Sequence, residues 1–174
     1  LLSSEPIPSG ATATQDNFAC FRSALLIAPQ TVKCHDPANS SFMKSMFAAT
    51  VTYNMALAHN IYALESGNFE TLQKASHLYA MAYNLFDNHM ITEESLHLIQ
   101  LGLLGCVNNI GHIHAYCQSV DETYVCIQEI CLRLSAFSPF DEGSGGVISH
   151  DEHDELFLNA CLFSRDSLVA APAA

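Results

Sequence analysis

Nine histidines, seven cysteines and a recurring set of asparagines are the residues best equipped for chemistry in this 174-residue chain. His112 and His114 stand two apart. On a helix that spacing turns them roughly 200° away from each other, so one metal ion cannot easily take both; four apart would be the productive spacing. They are expected as a groove residue and a packed core residue respectively. The run from His150 to Glu155 mixes imidazoles and carboxylates, yet only His150 and Asp154 stand four apart. A dedicated zinc site takes three or four converging ligands. The run therefore reads as an acidic first helical turn that favours the helix dipole, with loose divalent-ion binding as its alternative. Cys34 and His35 are chain neighbours, a placement that rarely lines a thiol up with an imidazole for proton transfer. No nucleophile-elbow, phosphate-loop, dinucleotide or zinc-protease pattern occurs. The expectation is a protein without catalytic residues, metal or cofactor.

Composition narrows the partners. Nearly half of the chain is apolar and 14% is charged, enough apolar surface for one packed domain. The formal net charge is -12, and two thirds of it falls after residue 120. Such a surface repels phosphate backbones and anionic lipid, so the expected partner is a protein or peptide, neutral or basic, with no nucleic acid and no membrane. The seven cysteines are odd in number, contain no CxxC pair and mostly lie in apolar runs. That pattern fits thiols in a reducing compartment, cytoplasmic or nuclear. The chain begins at Leu1 without Met, which leaves its native start open.

The elements that would carry these residues are helices. Residues 1–14 read as a flexible lead-in, and a first helix is expected over 15–28, with Phe18, Phe21, Leu25 and Ala28 near one face. A loop over 30–40 leads to a helix over 41–66, stopped by Gly67; Asn68 then caps a helix over 69–88. So short a connection forces an antiparallel hairpin. Thr92, followed by Glu93 and Glu94, opens a helix running to about residue 118. Ser119 and Glu122 form a capping-box pattern before a partner helix over 122–137. A Pro- and Gly-containing loop, a second capping box at Ser149 and Glu152 and a last helix to residue 163 complete a domain of about six helices over 15–163. Leu156, Phe157, Ala160 and Phe163 form the last helix's apolar stripe, and residues 164–174 read as a flexible tail.

The hairpins repeat. Tyr53-Asn54-Met55-Ala56 aligns with Asn108-Asn109-Ile110-Gly111 and with Leu158-Asn159-Ala160-Cys161, each a polar, an apolar and a small residue in succession. Recurrence on this scale is the signature of stacked helical hairpins. With Ala75, Tyr79 and Ala82 in the second helix, and Thr123, Ile127 and Ile130 at the same four-then-three spacing, the chain resembles the tetratricopeptide repeat family. Phe21, Ala24, Leu25 and Pro29 resemble the end of a further, incomplete repeat. The stretches 53–59, 108–114 and 157–160 also resemble a group of microalgal (diatom) proteins of this type.

The resemblance implies an all-α, short α-solenoid whose first helices line a concave face, with a helix-A asparagine hydrogen-bonding the main chain of an extended peptide. By position those asparagines are Asn54, Asn109 and Asn159. Helical spacing adds Tyr53, Leu57 and Asn60 in one hairpin and Asn108, His112 and Tyr116 in the other. The implied function is a non-catalytic scaffold that binds peptide or protein. The alternatives are a subunit packing through its end helices on an assembly or a second copy, and thirdly an unrecognised enzyme or metal-binding protein. Bonds between neighbouring helices are the competing role for the asparagines. With three Lys and three Arg in the chain, and none on those faces, a basic clamp for a carboxylate is not expected.

Overall fold

The computed structural model describes residues 20–26, 37–88, 93–136 and Leu156. Those residues form four α-helices: α1 (Pro37–Ser66), α2 (Phe69–Asp87), α3 (Glu93–Tyr116) and α4 (Val120–Ala136). None is long and apolar enough to cross a membrane. Helix α1 starts earlier than its expected onset at residue 41, with Pro37 as its first residue. Proline suits that position because its fixed φ is already helical and it lacks an N–H that would go unpaired there.

Local chemistry sets both hairpin turns. Gly67 takes φ +67°, and the Asn68 N–H reaches back to the Ala63 carbonyl at 3.2 Å, which closes α1. The Asn68 side chain then accepts from the Thr71 N–H at 3.0 Å and opens α2. The end of α3 uses the same device without glycine. Gln118 is left-handed at φ 60°, while the Ser119 N–H bonds the His114 carbonyl at 2.9 Å and the Gln118 N–H bonds the Ala115 carbonyl at 3.0 Å.

Helix α2 packs against both α1 and α3, and α3 packs against α4, so each hairpin buries a face that its neighbour presents. The repeat positions of the second helices supply the filling: Ala75, Tyr79 and Ala82 in α2, and Thr123, Ile127 and Ile130 in α4, are all buried. Close approach between the hairpins depends on glycine. A Cβ at Gly102 would stand 2.6 Å from the Phe86 ring, and one at Gly105 would stand 2.9 Å from the Tyr53 hydroxyl. The second helices are also joined through a polar cluster. Arg133 of α4 donates to its own neighbour Glu129 and to the Tyr83 hydroxyl of α2, each at 2.7 Å. Its guanidinium also lies 5.4 Å from the centre of the Tyr83 ring.

One expectation fails outright. Residues 20–26, placed by periodicity inside a first helix, are not helical. The physical reason is that their main-chain polar groups find partners on α1 and α3 instead of within a helix of their own. The count of about six helices loses that member. Leu156 is helical and fully buried against the core, where an apolar stripe from the last helix was expected; the rest of that helix, and the stretches 1–14 and 164–174, lie outside the described residues.

Candidate functional site

The segment 20–26 crosses the first helices of both hairpins and is gripped by one asparagine from each. Asn109 of α3 accepts the Phe21 N–H at 2.8 Å and donates to the Phe21 carbonyl at 3.0 Å. Asn54 of α1 does the same to Leu25, accepting its N–H at 3.0 Å and donating to its carbonyl at 2.9 Å. A primary carboxamide carries an acceptor and a donor side by side. An extended residue presents its N–H and C=O on one side, as it would to a neighbouring β-strand. Between the two clamps the Tyr53 hydroxyl donates to the Ser23 carbonyl at 3.3 Å. Residues 21, 23 and 25 therefore offer their main chain to the same wall, the alternation of an extended chain.

The side chains of the segment divide by depth. Phe21 is completely buried, Leu25 nearly so, and Cys20 is buried beside Asn60 and Asn109, while Arg22, Ser23 and Ala24 are exposed. The Asn60 side chain lies 3.3 Å from the Cys20 sulfur as a donor. Two buried anchors four residues apart thus flank three exposed residues.

Asn109 is held in one orientation by two further side chains. Its Nδ2 donates to the Tyr79 hydroxyl at 2.9 Å, and its Oδ1 accepts from Asn108 Nδ2 at 3.2 Å. Reversing the carboxamide would set donor against donor at Phe21, so this network assigns the amide. Tyr79 is fixed in turn by an edge-to-face contact with Tyr53, ring centres 5.6 Å apart. Burial pushes both phenols well above the ordinary tyrosine value. They stay neutral at any physiological pH. Asn54 is less supported, being partly exposed.

The clamp residues Tyr53, Asn54, Asn60, Asn108 and Asn109 carry no charge. His112 is half-buried, its Nδ1 lacks a hydrogen-bond partner among the described residues, and burial together with the nearby Arg22 charge lowers its pKa to about 4. It is a neutral imidazole at pH 7. Cys106, Cys126 and Cys117 all have their thiol pKa raised, chiefly by burial, Cys126 to about 11. None of the three is primed as a nucleophile.

The structure thus gathers Tyr53, Asn54, Asn60 and Asn109 around one segment, but in unequal parts. Tyr53 was expected as a surface anchor; its ring is in the core, packed against Gly105, and only its hydroxyl meets the segment. Asn108 is wholly buried and serves by holding Asn109. Tyr116 is exposed at the last residue of α3 and makes no hydrogen bond to the segment. Asn159 and the run 150–155 lie outside the described residues. Among the described residues no three of His, Cys, Asp and Glu converge as a metal site would need. Sequence reasoning missed the segment itself and the part played by Tyr79. A signal for the first was present, because a spacing of four is even and so also puts Phe21 and Leu25 on one side of an extended chain.

No protein-family model matches the chain, and no curated protein or solved structure shows significant similarity to it.

Proposed function

We propose that this protein is a non-catalytic, tetratricopeptide-like scaffold that binds an extended peptide or protein segment along the face shared by α1 and α3. The observation that carries the reading is the pair of carboxamide clamps, Asn54 on Leu25 and Asn109 on Phe21, each bonding both main-chain groups of one residue. Main-chain contacts give such a site its affinity, and two apolar pockets four residues apart give it selectivity. A partner that is neutral or basic suits the acidic chain.

The test is peptide-display selection against the chain with Phe21→Ala and Leu25→Ala, which weakens the hold of the resident segment. Selection is expected to enrich sequences with two large apolar residues four apart. Adding Asn54→Ala and Asn109→Ala is expected to abolish that enrichment while circular dichroism stays helical. Enrichment indifferent to both asparagines, or none at all, counts against the proposal.

A second reading is supported by one observation. Helix α1 turns Phe47, Val51, Met55 and Tyr62 outward, 40% to 64% exposed, along a single stripe. Packing of that stripe on a larger assembly or on another copy of the chain would cover it.

A further inference from the structure

Resting on the binding reading above, we infer that residues 20–26 are an intramolecular occupant of the groove, and that a partner segment of the form Phe-x-x-x-Leu enters only by displacing them. The resident defines the chemistry of the newcomer. Its first anchor must fill the fully buried site of Phe21 and its second the site of Leu25. Main chain at both anchors must be extended, because each asparagine takes the N–H and the C=O of one residue together. The three residues between the anchors are exposed, which leaves their types free to vary.

The segment's hold is of the kind that can be exchanged. Seven of its hydrogen bonds to α1 and α3 are made with helix side chains, and among the described residues none belongs to a main-chain ladder. Any extended main chain satisfies the same carboxamides equally well. What favours the resident is its tether. Ten residues separate Leu26 from Pro37, and ten residues span at most ~35 Å. A tether of this length gives an effective concentration of order mM. A free peptide identical to the resident must approach that concentration to compete, whereas a partner with better-fitting anchors, or one that is itself tethered nearby, displaces it at far lower levels.

The experiment uses the full chain with a protease recognition sequence inserted between residues 26 and 37, intact or cut, and a fluorescein-labelled peptide of residues 20–26 as the probe. Anisotropy reads binding and circular dichroism reads the helices. The cut chain, diluted so that its released segment leaves, is expected to bind the probe at least ~100-fold more tightly than the uncut chain. A probe with both anchors changed to Ala is expected not to bind. Equal binding to cut and uncut chain overturns the occupant proposal and leaves the groove reading standing. Collapse of the helical signal once the segment departs overturns it as well, because residues 20–26 would then be part of the core. Helices that persist with no probe binding at all overturn both.

Discussion

At the scale of single residues, the recurring asparagine acquires a definite mechanism, and the histidine that shares its helix acquires a different one. Asn109 spends both donors and its acceptor on Phe21, Tyr79 and Asn108, so it is at once a packing residue and a main-chain clamp. Bonding between helices and binding of peptide were posed as competing roles. One carboxamide bonds the Tyr79 side chain of a neighbouring helix and the Phe21 main chain together, since it has two N–H groups and two lone pairs to place. His112, considered beside His114 as a metal ligand, is instead a neutral ring whose pKa is held near 4 by burial and by Arg22. The sign of its effect follows. An unfolded histidine takes up a proton near pH 6.5, and the native one resists until about pH 4, so the stability it contributes is fully present above 6.5 and is lost as pH falls toward 4. Urea unfolding at pH 7 and pH 4.5 is expected to show that His112→Asn removes ~2–3 kcal/mol of the wild-type pH dependence. An unchanged difference between the two pH values would show that the imidazole is better solvated than its burial indicates.

At the scale of elements, the turns were the most legible part of the chain, because they depend on one or two residues with strong local preferences. Gly67 and Asn68 act as their types dictate. The α3–α4 turn is instructive in another way, since it keeps the hydrogen-bond pattern of a glycine-ended helix while placing Gln118 at φ 60°. A left-handed conformation costs an L-residue with a Cβ roughly 1 kcal/mol. Gln118→Gly is accordingly expected to raise stability by ~0.5–1 kcal/mol, seen as a higher urea midpoint with unchanged slope. The first helix was the least legible element. Phe18, Phe21, Leu25 and Ala28 have helical spacing, but short periodic runs do not say whether a helix has anything to pack on. Here the segment's N–H and C=O groups at residues 21 and 25 are satisfied by side chains on two other helices.

At the scale of the whole molecule, the hairpins stack in sequence order and leave two kinds of surface. One is the wall of α1 and α3, whose clamps are polar and uncharged and which already carries a segment of the chain. The other is the outward stripe of α1, formed by Phe47, Val51, Met55 and Tyr62. If that stripe joins copies, static light scattering over a hundredfold dilution is expected to show a dimer that Met55→Glu converts to monomer. A monomer throughout would remove self-association from consideration.

The sequence by itself determined the helical class, the hairpin turns, the buried positions of the second helices and the recurrence of asparagine at equivalent places. Each of these follows from local periodicity, from capping chemistry or from self-comparison, and needs no knowledge of distant contacts. Only the tertiary structure decided what the asparagines hold. A spacing of four satisfies a helix face and an extended strand alike, so the state of residues 20–26 depends on where its main-chain groups find partners. Those partners stand 29 and 88 residues away along the chain, beyond the reach of any local pattern.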